Sequence, residues 1–305
     1  MVMSFVLSLI APAGELGGDD LRALAGIGGL GPPAWLSPGE ACDIPLARGP
    51  APEQILVAAR AVLTARRIDV NLVAAAGRRK RLLVADMEST LIRNEMLDEL
   101  ASMTGIGPQV AAVTARAMNG EIDFRGSLRA RVGLFAGRPA SLLDAAARRI
   151  EAMPGAAVLI ATMRRHGAYT AIVSGGFTVF TRRVRHALGA DHDEANELLM
   201  DDAGLAGTVR EPILDAAAKA AALGRLANRQ GLDLHDTIAT GDGANDLEML
   251  ALAGLGVAFR AKPMVAKAAR VSIAHGDLTA LLFLQGYRRD EFAVPDPAPD
   301  FTSPT

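Results

Sequence analysis

Asp86 stands at the end of a short apolar run, Leu82-Leu83-Val84-Ala85, and is followed by Glu88, Ser89 and Thr90. A carboxylate placed there can attack as a nucleophile, and a second acid two residues on can carry a proton. The same residue types also make an ordinary turn. Three later stretches enlarge the chemical set. Ser174-Gly175-Gly176 follows the apolar run Tyr169 to Val173, and a serine with two glycines can offer a hydroxyl and backbone N–H groups to a phosphate. Lys219 lies in an alanine-rich helical segment. Gly241-Asp242-Gly243-Ala244-Asn245-Asp246 follows Thr237 to Thr240, and Asp246 lies four residues after Asp242. Both carboxylates face one side if a helix starts there.

These groups need a scaffold that brings distant residues together. Apolar runs without alternation read as strands buried on both faces of a parallel sheet, and ligands of such sheets bind beyond the carboxyl ends of the strands. With 305 residues, half of them apolar and 22% charged, the chain is long enough for a large core and more than one domain. A net charge of −2 gives no basis for a nucleic-acid partner or an anionic membrane. No stretch of about 20 apolar residues is present. The single cysteine, Cys42, excludes an intramolecular disulfide and reads as a structural thiol in a reducing cytoplasm.

In chain order, residues 1–80 read as a small α/β domain: a strand over Val2 to Ile10, a short helix from Asp19, a strand near Ala34 to Leu36, a helix over Ala51 to Arg67 and a strand over Ile68 to Ala75. That order suits a ferredoxin-like module. Arg78-Arg79-Lys80-Arg81 reads as a solvated linker. Residues 93–153 carry four helical segments broken at Gly105, Asn119-Gly120 and Gly137-Arg138-Pro139, an all-helical cap inserted in a core of residues 81–92 and 154–290. Ala195 to Val209 reads as a β-hairpin, and Leu214 to Leu226 as the helix bearing Lys219. Residues 291–305 are polar and proline-rich and are expected to be a disordered tail.

Strand-Asp, strand-Ser, helix-Lys and strand-Asp-acid, in that order, resemble the four motifs of the haloacid dehalogenase superfamily. The longer stretches Asp86 to Ala101, Asp123 to Gly137, Val173 to Phe177, Ala195 to Val209, Gly241 to Leu250 and Gly254 to Pro263 resemble the phosphoserine phosphatases in particular, over residues 81–288. The resemblance implies a doubly wound α/β core with a helical cap and Mg²⁺-dependent hydrolysis of O-phosphoserine, the last step of serine biosynthesis. It implies Asp86 as nucleophile, Glu88 as acid and base, and Ser174 and Lys219 as partners of the phosphoryl group. Glu95 would hold the substrate ammonium and Arg131 its carboxylate, with Phe124, Gly175 and Asn245 completing the substrate site. Mg²⁺ would be held by Asp86, Asp242, Asp246 and the main-chain carbonyl of Glu88. Upstream domains of ferredoxin-like architecture sense amino acids in this family, which leaves residues 1–80 as a sensor, a passive module or the surface of a homodimer.

The family has Asp where this chain has Glu88. Two other readings therefore stay open: a phosphatase of a different small phosphate ester, and a non-catalytic phosphoserine-binding sensor. If the backbone here follows the family's, Glu88→Asp is expected to raise kcat, the outcome favoured; if the site is rebuilt around the longer side chain, the same change is expected to lower it.

Overall fold

A computed structural model describes residues 4–47, 49–295 and 299–302. The N-terminal part runs β1 (Phe5–Ile10), α1 (Gly18–Ala23), β2 (Ala34–Ser37), β3 (Ala41–Pro45), α2 (Pro52–Val62) and β4 (Asp69–Ala74). Its sheet has the order β2-β3-β1-β4, with antiparallel pairing throughout, the ferredoxin-like arrangement. Strand β3 is absent from the sequence reading: its residues, Ala-Cys-Asp-Ile-Pro, contain an aspartate and end on a proline, which hides the strand.

The core begins with β5 (Leu82–Ala85) and is interrupted by the cap helices α3 (Met96–Thr104), α4 (Gly107–Met118), α5 (Phe124–Gly133) and α6 (Ser141–Ala147). It resumes with α7 (Ala156–Arg165), β6 (Tyr169–Phe177), α8 (Thr178–Leu188) and β7 (His192–Asn196). A hairpin of β8 (Leu198–Asp201) and β9 (Gly204–Val209) follows, then α9 (Ala216–Arg229), β10 (Thr237–Gly241), α10 (Leu247–Leu252), β11 (Leu255–Phe259), α11 (Pro263–Ala268), β12 (Val271–Ile273) and α12 (Ala280–Leu284). The six core strands pair in parallel in the order β12-β11-β10-β5-β6-β7.

The apolar run of β5 explains the layering. Leu82 and Val84 join one hydrophobic cluster with Leu223 and Leu226 of α9 and Met249 of α10. Leu83 and Ala85 face the other cluster, with Leu159 of α7, Phe180 of α8 and Leu281 of α12. Successive side chains of a strand point to opposite faces, so a strand covered on both sides must be apolar at every position. All four residues of β5 are no more than 1% exposed.

Two expectations change here. Ala195 and Asn196 belong to β7 at the edge of the core sheet, and the hairpin starts only at Leu198. That hairpin joins the cap, because Gly137 N–H donates to Leu205 O at 2.8 Å and Leu205 N–H to Arg138 O at 2.8 Å. The basic run is not a solvated linker. The Arg78 guanidinium is largely buried, pairs with Asp43 and donates to the carbonyls of Leu284 and Phe283 at 3.1 Å each. Helix ends leave such carbonyls without partners, and a buried guanidinium satisfies several at once.

The N-terminal sheet docks its open face on the core. Val6, Ile10, Ala41 and Val73 join the larger core cluster, while Leu7, Leu9, Cys42 and Ile44 pack on α1 and α2. Asn71 of β4 accepts from Ser272 N–H at 3.1 Å and donates to Ser272 O at 2.9 Å. Its amide thus completes the ladder of the edge strand β12, which would otherwise be open. Asp69 accepts from the N–H groups of Ala274, His275 and Gly276. Cys42 is buried, and burial followed by the neighbouring Asp43 pushes its thiol up to about 11, in keeping with a structural role. The segment expected to be a disordered tail is anchored in its described part: Phe292 stacks on Phe283, Ala293 N–H donates to Thr162 Oγ1 and Phe301 is 8% exposed. Residues 296–298 and 303–305 of that segment lie outside the described residues.

Candidate active site

The motifs meet because their strands are neighbours. Register places Thr240 of β10 beside Ala85 of β5, and Ala85 beside Ile172 of β6. Asp86 and Asp242 therefore leave the sheet at the same edge, just beyond β5 and β10, beside Ser174 in the C-terminal half of β6. Asp86 N–H donates to Thr240 O at 3.0 Å, which extends the ladder one residue and fixes where the carboxylate emerges.

Asp86, Asp242 and Asp246 each offer a carboxylate oxygen, all within 4.8 Å of one another. Lys219, projecting from α9, reaches Asp86 Oδ2 at 2.7 Å and Asp246 Oδ1 at 2.8 Å. The helix is started by Asp215, whose carboxylate accepts from Ala218 N–H at 3.0 Å. Asp246 comes close because Gly241 has no side chain: a Cβ there would stand 2.3 Å from Asp246 Cγ. One ammonium balances only one of three clustered carboxylates. Burial, then the Asp246 charge, pushes the Asp86 carboxyl up to about 7 against the pull of Lys219, and the same two causes raise Asp242 to about 6. For Lys219 burial opposes the charge, but Asp86 and Asp246 outweigh it and hold the ammonium above its ordinary range. The cluster is short of positive charge and offers only oxygen donors, so these residues fit a hard divalent cation.

A cavity of about 190 Å³ lies against this cluster, lined by Asp86, Glu88, Glu95, Phe124, Arg131, Gly175, Asn245 and Asp242 among others. The helices carry the charged pair expected from sequence: Glu95 at the N-cap of α3 and Arg131 in the last turn of α5. Ser89, with a positive φ of 53°, donates its hydroxyl to Glu95 Oε1 at 2.7 Å. Arg131 Nε is buried without a hydrogen-bond partner. Glu88 Oε1 accepts from Met96 N–H at 2.8 Å. Burial, then the Glu95 charge, pushes its carboxyl up to about 8. Ser174 is fully buried, and its hydroxyl accepts from Gly176 N–H at 3.0 Å.

Sequence reasoning passed over several residues. Lys262, Phe177, Leu97 and Leu128 also line the cavity. Lys262 lies in the quoted stretch ending at Pro263, and its N–H donates to Asp242 O at 3.2 Å, so that motif carried the signal unread. Asn196 holds the serine loop from behind: it donates to Gly175 O at 2.9 Å and accepts from Leu214 N–H at 2.7 Å. No periodicity marks such a residue.

Residues 83–251 match the haloacid dehalogenase-like hydrolase family. A phosphoserine phosphatase of Streptomyces coelicolor is 45% identical over 235 residues, 76% of this chain and 57% of that protein. The chain spans about half to two thirds of the length of three curated relatives of this kind, and 97% of a phosphoserine phosphatase of Methanocaldococcus jannaschii that is 38% identical. A hydrolase of the same superfamily from Salmonella enterica serovar Typhi superposes with a TM-score of 0.83 at 30% identity, covering 92% of this chain and 98% of that one. A phosphoserine phosphatase solved as a phospho-aspartyl intermediate analogue superposes with a TM-score of 0.63 at 38% identity, covering 67% of this chain and 98% of that one. The chain belongs to the haloacid dehalogenase-like hydrolases and, within them, to the phosphoserine phosphatase family.

Proposed function

We propose that this protein hydrolyses O-phospho-L-serine to L-serine and phosphate in the presence of Mg²⁺. The observation that carries the substrate reading is Arg131, a guanidinium whose Nε is buried without a partner on the cavity that also holds Asp86. An unpaired buried donor of this kind is stabilised by a carboxylate, which guanidinium geometry suits. Glu95 supplies the opposite charge for an ammonium. A phosphate ester carrying both groups is a phosphorylated amino acid.

Asp86 would attack phosphorus and become an aspartyl-phosphate, splitting one displacement into two. A relative captured as a phospho-aspartyl intermediate analogue supports this route. Asp86, Asp242, Asp246 and the main-chain carbonyl of Glu88 would hold Mg²⁺. When bound, the ion offsets the charge of the phosphoryl oxygens and of the carboxylates themselves. Lys219 pulls the Asp86 carboxyl towards its ionised form against burial and the Asp246 charge, and would orient it for attack. The Gly175 backbone and Asn245, which line the cavity beside Asp86, would bind phosphate oxygens. Glu88, raised to about 8, is protonated at neutral pH and can give its proton to the leaving serine oxygen, then take one from the attacking water.

The test is phosphate release from L-phosphoserine with Mg²⁺ and with EDTA. Release that depends on the metal is expected. Binding of phosphoserine with no release would establish the sensor reading, and faster release from esters lacking the amino-acid groups would establish the other phosphatase reading.

A further inference from the structure

Glu88 departs from its family's pattern by one methylene, and the extra length ends in a slot with two walls. The first is the N-terminus of α3, where Met96 N–H donates to Glu88 Oε1 at 2.8 Å. The second is the bare backbone of Gly176 on β6. A Cβ built on Gly176 would lie 2.8 Å from Glu88 Oε2, 3.1 Å from Cδ and 3.2 Å from Oε1. A side-chain carbon and a carboxyl group do not share that space. Nothing in the backbone asks for glycine at this position, because φ of Gly176 lies outside the left-handed region. The wall is also fixed in place, since Gly176 N–H donates to Ser174 Oγ at 3.0 Å and the residue is buried.

We infer that Gly176 is the positioning residue of the site's acid: with the Met96 amide it forms the seat that holds the longer Glu88 carboxyl. The inference rests on the reading of Glu88 as the proton carrier. Because Oε1 accepts an N–H, the transferable proton belongs to Oε2. It passes from Oε2 to the leaving alkoxide oxygen as the P–O bond breaks, and Oε2 takes a proton back from the water that attacks the phosphoryl group. The seat joins a strand of the core and a helix of the cap. The acid is therefore in place only when α3 lies over the site.

The test is a cycle of four proteins: wild type, Gly176→Ala, Glu88→Asp and the double variant. The atoms that an alanine would strike are the end of a flexible side chain, so Gly176→Ala is expected to fold and to displace the carboxyl instead. A misplacement of about 1 Å lowers turnover roughly 100-fold in many sites, so kcat on phosphoserine should fall by about 10- to 100-fold while KM stays within about threefold. In the Glu88→Asp background the shorter acid leaves the space free, and adding Gly176→Ala should change kcat by less than about twofold. Equal losses in both backgrounds, in kcat or in folding, would overturn the seat. So would an undiminished kcat for Gly176→Ala. If the wild type releases no phosphate from phosphoserine, the proposed function fails. The seat is then decided by thermal midpoints of the four metal-free proteins, where a drop confined to the Glu88 background sustains it and additive changes overturn it.

Discussion

Two regions of this molecule bury charged and polar groups, and they do so in opposite ways. At the seam between the N-terminal sheet and the core, demand and supply match. Asp69 accepts from three main-chain amides, Asn71 exchanges a donor and an acceptor with Ser272, and Arg78 meets Asp43 and two carbonyls. The Ser8 hydroxyl is the exception there, buried without a partner. At the cleft they do not match. Asp86 and Asp246 share the ammonium of Lys219, Asp242 stays raised despite the charges of Lys262 and Lys219, and Arg131 Nε is buried without a partner. A matched set can be complete within the protein and stabilises it. A mismatched set calls for completion from outside, which under the proposed function a cation and a substrate would provide. The seam is thus an architectural device and the cleft a chemical one, although both are built from Asp and Arg.

The most severe break on the cleft side is Asp86→Asn. The amide keeps the shape but cannot attack phosphorus, so turnover of phosphoserine should fall by at least about 10³-fold while substrate binding persists. The same change relieves the crowded carboxylates and should raise the thermal midpoint of the metal-free protein. Near-normal turnover, or a phosphorylated intermediate in the variant, would remove Asp86 from its role.

The matching break at the seam is Arg78→Ala. It leaves Asp43 buried without its cation, and breaking a buried pair costs about 3–5 kcal/mol. Denaturant unfolding should show that loss, and kcat per folded molecule should be unchanged. A variant that is fully stable would mean that the seam is not built on charge matching.

Much of this contrast was written in the sequence. Three of the four motifs were legible because each follows an apolar run, and a strand buried on both faces has no other way to be written, whereas Lys219, inside α9, was marked only by its place between them. The cap helices were legible from their glycine breaks, and Gly105 does end α3 in a left-handed conformation with φ of 71°. The seam was not legible. Arg78 to Arg81 has the composition of a solvated linker, and only the tertiary approach of α12 and Asp43 makes Arg78 a buried bridge. Strand β3 was hidden for the same reason, since Asp43 reads as a turn residue until its partner is known. The Glu88 seat was invisible too, because its walls are a main-chain amide and an absent side chain.

Arg131→Ala tests the cleft at its unpaired donor. A charge-assisted bidentate contact contributes about 2–3 kcal/mol, a factor of tens to hundreds. KM for phosphoserine should rise by that factor and far less for a phosphate ester without a carboxylate. Equal losses on both would show that Arg131 does not read the substrate carboxylate.

The mismatch also predicts a pH dependence. Asp86 is raised to about 7 and Asp242 to about 6, so between the ordinary carboxylate range and those values the folded protein holds more protons than the unfolded chain. Stability then falls as pH rises through that window. The thermal midpoint of the metal-free protein should drop from about pH 4 to about pH 7, and saturating Mg²⁺ should remove most of the drop. A midpoint that climbs with pH across the window in metal-free protein would contradict the clustered-carboxylate account.

The smallest expected effect is the most informative about how the cleft was assembled. From the motif alone, Glu88→Asp was expected to restore the family's geometry and raise kcat. The geometry argues for the opposite outcome. Glu88 does not reach past its place; its carboxyl lies between the Met96 amide and the bare backbone of Gly176. An aspartate ends about 1.5 Å sooner by bond geometry. It would leave the Met96 N–H of α3 without its acceptor and the space beside Gly176 unfilled. Its carboxyl would then be held by fewer contacts, and a catalytic group needs to stay within about 0.5 Å of its productive position. The expected outcome is a fall in kcat of several-fold to about 30-fold, with little change in KM because Glu95 and Arg131 are untouched. Steady-state rates on phosphoserine at saturating Mg²⁺ measure it directly. A rise in kcat would show that the seat hinders the acid and that Glu88 is a tolerated departure from the family's geometry. A fall would show that core strand, cap helix and acid were fitted to one another around the longer side chain.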